Sequence, residues 1–88
     1  MYLEVVTPDA THFQGEVDQA TFPGSDGSFQ VLNNHAPLIA TLGKGELRFK
    51  VHYEAHHVKD EEEILFVDGG VVEVLNNRII VLAESIGH

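Results

Sequence analysis

Apolar and polar positions along the chain alternate in short runs and never settle into helical spacing. The cleanest run is 46–53, where Leu47, Phe49, Val51 and Tyr53 fall on one side and Glu46, Arg48, Lys50 and His52 on the other. A period of two means a strand with one dry face and one wet face. Leu47, Phe49 and Val51 are therefore expected in the core, with Arg48 and Lys50 in water. Ile64-Leu65-Phe66-Val67 is apolar at every position, the pattern of an interior strand. Tyr2 to Thr7 is rich in strand formers and stops at Pro8-Asp9, a turn pair. Thr11 to Phe22 reads as one long strand, with a bulge or bend at Gly15.

Turn chemistry divides the rest. Gly24-Ser25-Asp26-Gly27 is a strong turn, and Asn33-Asn34 ends the short strand Phe29 to Leu32. Pro37 has no amide to donate, so His35-Ala36-Pro37 is expected as a loop or an edge. Gly43-Lys44-Gly45 reads as a turn and Gly69-Gly70 as a break. Asn76-Asn77, between Val71 to Leu75 and Arg78 to Glu84, suits a tight hairpin because asparagine tolerates positive φ. Eight or more short strands at this spacing predict an all-β fold, an antiparallel sandwich or barrel, as one domain over residues 1–88.

Composition narrows the functional classes. The 88 residues suffice for one small domain, which buries a modest share of its surface and gains from partners. A formal charge of −9 argues against binding a phosphate backbone or an anionic membrane surface. There is no cysteine, so disulfides and thiolate metal sites are excluded. The opening Met1-Tyr2-Leu3-Glu4 has neither the basic nor the apolar region of a signal peptide, and no apolar run approaches a membrane span of ~20 residues. Contact with a membrane is expected to pass through another protein.

Candidate chemistry is thin. His52, His56 and His57, with Glu54 and Asp60, have the residue types of a zinc site. Neighbours on a strand face opposite ways, however, and a solvated hairpin tip fits His56 and His57 better. The acidic run Asp60 to Glu63 diverges rather than converging on a cation. Gly24 to Gly27 lacks the Lys-Ser/Thr ending of a phosphate-binding loop. Ser25, Ser28 and Ser85 are the only serines, and none sits in Gly-x-Ser-x-Gly. With no Trp and only Tyr2 and Tyr53, an aromatic-lined pocket for a sugar or small ligand is also disfavoured. No catalytic, cofactor-binding or metal site is expected.

Several blocks, in order, resemble the epsilon subunit of F-type ATP synthases. They are Leu3-Glu4-Val5-Val6-Thr7-Pro8, Phe13-Gln14-Gly15-Glu16-Val17, and Pro23-Gly24-Ser25-Asp26-Gly27-Ser28-Phe29 with Val31-Leu32. Asn34-His35-Ala36-Pro37-Leu38, Gly69-Gly70-Val71-Val72-Glu73-Val74, Asn77-Arg78 and Val81-Leu82-Ala83 complete the set. The resemblance implies a flattened β-sandwich of about ten strands at the foot of a rotary central stalk. It implies that this domain binds the gamma subunit and rests on the c-ring, coupling proton flow to ATP synthesis with no catalysis or cofactor of its own. By the same resemblance, the c-ring-facing loops hold Ser25, Asp26, Gly27, Ser28, His35, Ala36, Pro37 and Leu38. Two roles are open to Asp26 and His35: pairing with polar groups of the ring, or shaping their own turns. A peripheral place on the cytoplasmic face of the bacterial inner membrane is implied, an organellar one being the alternative.

The sequence departs from the family pattern in three places. The chain stops at Ser85-Ile86-Gly87-His88, where the family's inhibitory helical hairpin begins, so these residues are expected to couple without inhibiting. Gln30 stands for a glycine, and Asn33-Asn34 for a Pro-Gly type pair. His52 to Glu63 is longer than usual and predicts an extended hairpin.

Overall fold

The computed structural model describes residues 1–53 and 62–87. Those residues form seven strands and no helix: β1 (Tyr2–Thr7), β2 (Ala10–Gly24), β3 (Gly27–Leu32), β4 (Leu38–Val51), β5 (Glu63–Leu75), β6 (Arg78–Ala83) and β7 (Ile86–Gly87). Hydrogen bonding runs β1-β6-β5-β4-β2-β3, with β7 on β5 and β1 also on β2, so the circuit closes.

The long strands β2, β4 and β5 hold 15, 14 and 13 residues and serve both sides of the molecule. β2 pairs β1 from Ala10 to Glu16, then lies between β3 and β4. β5 pairs β7 at Phe66 and Val67, then β6 from Gly70 to Leu75. β4 follows β5 through its bend. One layer is therefore β2-β1-β6-β5-β4 and the other β3-β2-β4-β5-β7. The ten segments of a flattened sandwich thus come from seven continuous strands.

The layers close on an apolar interior. Leu3, Val5, Val72, Val74, Ile79 and Val81 come from the first; Ala20, Phe22, Val31, Leu47, Phe49 and Val67 from the second. Phe13 meets Phe49 with ring centroids 4.5 Å apart, and Phe22 stacks on Phe29 at 5.4 Å. Each such pair contributes about 0.5–1.5 kcal/mol beyond the area it buries. Among the described residues no polar or charged side chain is buried, so burial of apolar surface has no desolvation cost to offset.

The alternation at 46–53 places Leu47 and Phe49 in the core and Arg48 in water, as its period requires, with Val51 half-buried. Tyr53 lies past the end of β4 and is half-exposed, because the pleat that would turn it inward has stopped.

Four other readings are corrected. Gly43-Lys44-Gly45 and Gly69-Gly70 are not strand ends. β4 and β5 run through them, and glycine lets the paired strands bend from one layer to the other. Gly15 sits in regular register with Leu3, whereas the extra residues are His12, between the partners of Val5 and Val6, and Asp18, between Val17 and Gln19. The pairings are antiparallel except that of β1 with β6, which is parallel. Ile64 and Phe66, expected inside, face out at 42% and 47% exposure while Leu65 and Val67 face in.

The bend in β5 sets a test. Gly70 has φ 136°, and a Cβ there would stand 2.9 Å from Ala83 Cα and against the Leu82 carbonyl. Gly27 has a similar φ of 129° with open space around it. Gly70→Ala is expected to cost more than about 2 kcal/mol by chemical denaturation, and Gly27→Ala only about 1 kcal/mol. Equal costs would mean that the bend is not held by packing.

Candidate partner-docking surface

The β2–β3 hairpin tip places Ser25, Asp26, Gly27 and Ser28 in the open. It is anchored through its turn residue Ser25. The Ser25 amide donates to the Thr41 carbonyl at 3.0 Å, and the Ser25 hydroxyl contacts the same carbonyl and the Thr41 hydroxyl. This ties the hairpin to β4.

The second loop, Asn33 to Pro37, is pinned elsewhere. Asn34 has φ 62°, and the His35 amide donates to the Leu32 carbonyl at 3.2 Å, closing the turn. The amide group of Asn77 clamps it: Nδ2 donates to Asn33 Oδ1 at 2.9 Å, and Oδ1 accepts from the Asn34 amide at 2.8 Å. Asn76 and Asn77, with φ 52° and 60°, form the tight hairpin expected of that pair. His35 Nδ1 donates to the Ala36 carbonyl at 2.7 Å, so one ring nitrogen shapes the loop and the other is left for a partner.

These two loops lie at opposite ends of β3 and share one edge of the sandwich, formed by β3 and the first half of β4. Ile39, 72% exposed, joins them. It lines a cleft of about 330 Å³ with Gly24, Ser25, Asp26 and Gly27, and another of about 400 Å³ with Pro37, Leu38, Glu73, Val74 and Leu75. Sequence reasoning missed Ile39, because a period-two reading cannot say which face of an apolar run is covered.

It also missed the outer face of the first layer. Cross-strand register sets Val6 beside Leu82, Leu82 beside Val71 and Val71 beside Thr41. The next row is Glu4, Ile80, Glu73 and Ile39. Leu82 is 55% exposed with Val71 exposed beside it, and Ile39 is exposed in the next row. An apolar row of Val6, Leu82 and Val71 therefore crosses three strands, with Glu4 and Glu73 in the row beside it. The outer face of the second layer is mixed, with Gln19, Thr21, Gln30, Arg48 and Lys50 beside the exposed Leu32, Ile64 and Phe66.

The titratable groups form local pairs. Arg48 bonds Glu46 at 2.6 Å, which with the Glu46 charge raises its pKa further. The Thr7 hydroxyl donates to Asp9 at 2.8 Å, chiefly holding that carboxyl below its ordinary value, and Thr7 also meets His12 Nε2 at 2.9 Å. His52 Nδ1 meets Asp18 at 2.7 Å, where the second bulge turns Asp18 toward it. Among the described residues no three His, Asp or Glu side chains are placed to hold a metal ion. His56, His57, Glu54, Asp60 and Glu61, and the tip of the expected extended hairpin lie outside the described residues.

A closed sandwich with an exposed apolar row on one outer face and one loop-flanked edge defines a small all-β domain. The chain belongs to the ATP synthase delta/epsilon chain family: residues 1–88 match the model of its β-sandwich domain. It is 41% identical over 85 residues to the ATP synthase epsilon chain of Nitratidesulfovibrio vulgaris, covering 97% of this chain and 58% of the relative. The epsilon chain of Salinibacter ruber is 41% identical over 87 residues, covering 96% and 58%. The chain thus spans 58% of the length of these relatives.

Two solved structures share the fold at 20% identity. A chain of the Tetrahymena thermophila mitochondrial ATP synthase central stalk and c-ring matches with a TM-score of 0.77, over 99% of this chain and 65% of that one. A chain of the Euglena gracilis mitochondrial ATP synthase, solved with OSCP, F1 and the c-ring, matches at 0.82, over 97% and 51%. The expected sandwich class and family are both borne out.

The Asn77 clamp is open to test. Asn77→Gly keeps the positive φ and removes both side-chain bonds. Amide exchange at Asn34 is expected to accelerate, with a stability loss of about 1 kcal/mol. Unchanged exchange at Asn34 would show that the loop holds its shape without the clamp.

Proposed function

We propose that this chain is a non-catalytic rotor subunit of a proton-translocating F-type ATP synthase, docking on gamma through the outer face of the first layer and on the c-ring along the β3 edge. The observation that carries the gamma contact is the row Val6, Leu82 and Val71, with Ile39 beside it. An exposed apolar row across three strands is what a partner-dependent subunit leaves uncovered when alone. Glu4 and Glu73 border the row, so the covering surface should be apolar at its centre and basic at its rim.

For the ring, the edge offers Asp26, Ser28 and the free nitrogen of His35 to polar loops. Ala36, Pro37 and Leu38 supply a stiff apolar step between them. Family membership supports both contacts, since the relatives are epsilon chains of the same synthase. In this reading the domain is held at the cytoplasmic face of the membrane only through the complex. No described helix is long and apolar enough to cross a membrane.

Coupling needs a body that does not shear, and strands shared between two layers provide one. The family's brake is a helical hairpin, and the described residues hold no helix. These 88 residues are therefore expected to restore coupling to an epsilon-depleted synthase while leaving hydrolysis by the soluble catalytic complex unrestrained. Strong inhibition by the 88-residue chain would make the sandwich itself the brake.

The contact face has its own test. Leu82→Lys is expected to weaken gamma binding by roughly tenfold or more, about 1.4 kcal/mol, with the fold unchanged by circular dichroism. Hydrogen exchange should slow in β1, β5 and β6 when gamma is added. Protection confined to β3 would overturn the assignment of gamma to this face.

A further inference from the structure

Glu73 is a carboxylate set among apolar side chains on the outer face of the first layer. Val72 and Val74 beside it on β5 point inward, so Glu73 points out. Ile80 flanks it on β6 and Ile39 on β4, with Val71 and Leu75 two places away along β5. Arg78, diagonal to it on β6, lies over the Tyr2 ring instead, 5.0 Å from the centroid. Among the described residues no hydrogen bond or ion pair reaches the Glu73 carboxylate. It is also the one charged group lining the cleft of about 400 Å³ whose other walls are Pro37, Leu38, Ile39, Val74 and Leu75.

We infer that this cleft takes an arginine side chain from the protein that covers the face, its stem along Ile39 and Leu75 and its guanidinium on the Glu73 carboxylate. The inference rests on the assignment of gamma to this face and names the group that gamma must bring. Desolvation selects it. Covering an apolar face expels water, and a carboxylate left there without a counter-charge is strongly disfavoured. A surface that is apolar throughout is therefore rejected, and one with a cation at this point is accepted. Lysine would supply the charge, but its ammonium holds water tightly. A guanidinium is less hydrated, gives two parallel N–H groups to the two carboxylate oxygens, and lies flat against apolar neighbours.

Glu4, on the same face, makes no such demand. Its carboxylate already accepts from the Gln14 amide at 3.1 Å, and that pair is exposed. A carboxylate that stays wet contributes little to binding, whereas one that is enclosed with its partner acts mainly by slowing dissociation. Glu73 thus fixes how the partner sits on an otherwise undirected apolar row, because one placement alone puts the guanidinium in the cleft.

The test compares two variants that remove the same charge from the same face. Glu73→Gln is expected to speed dissociation of gamma by about thirtyfold or more, with the association rate nearly unchanged. Glu4→Gln should change the affinity by less than about threefold. Replacing the arginines of gamma by alanine, one at a time, should find one whose loss adds nothing further in the Glu73→Gln background. A dissociation rate that Glu73→Gln leaves alone, an equal loss from Glu4→Gln, no coupled arginine, or a loss of c-ring binding in place of gamma binding would each overturn the inference. Leu82→Lys separates it from the reading beneath it. If Leu82→Lys weakens gamma binding and Glu73→Gln does not, the face assignment stands and the arginine falls; if neither does, both fall.

Discussion

The antiparallel ladder between β4 and β5 is the constraint on which the other pairings depend. It runs from Leu38 against Val74 to Phe49 against Glu63, and it passes through both layers. The two strands bend together where Leu42 to Gly45 faces Val67 to Gly70. Two positive-φ glycines in β5 permit the bend, and Gly70 lies too close to β6 for any side chain. With this ladder in place, one half presents β5 to β6 and the other presents β4 to β2. A bend in either strand alone would break the hydrogen bonds between them, so the glycines of both strands act together.

Much of this was legible in the sequence, and the failures share one cause. The all-β class, the turns at Pro8-Asp9, Ser25-Asp26, Asn33-Asn34 and Asn76-Asn77, and the inward set Leu47 and Phe49 all follow from local chemistry. Glycine is ambiguous at that level: it marks both where a strand stops and where it bends, and Gly43, Gly45, Gly69 and Gly70 do the second. The run Ile64 to Val67 misleads because apolar side chains outside a sheet look the same in sequence as those inside it. The candidate loops were named from family likeness. Their placement at the two ends of one edge, and the exposure of Ile39 and Leu82, depend on pairings between distant strands that local pattern cannot encode.

The molecule offers two surfaces of opposite chemistry. The outer face of the first layer is apolar with acidic borders; the edge beside it is uncharged, with backbone groups and small polar side chains. Force entering at the face and leaving at the edge would travel along β2, β4 and β5, each shared by both layers. Sliding one layer over the other would require stretching covalent backbone as well as separating packed side chains. That is a stiffer arrangement than two sheets joined only by loops.

The parallel pairing of β1 with β6 has a consequence for how the domain comes into being. Tyr2 aligns with Arg78 and Val6 with Leu82, so the first of the seven described strands completes its second edge with the sixth, about 75 residues further along the chain. Contacts of such long sequence separation close slowly, because the loop entropy is lost before any bond forms. During synthesis β1 and β2 can form a hairpin early, yet the first layer stays open until Arg78 to Ala83 has left the ribosome. A ribosome-bound chain halted before Arg78 would show an unfinished sheet and apolar side chains without cover, the kind of species that holding chaperones recognise.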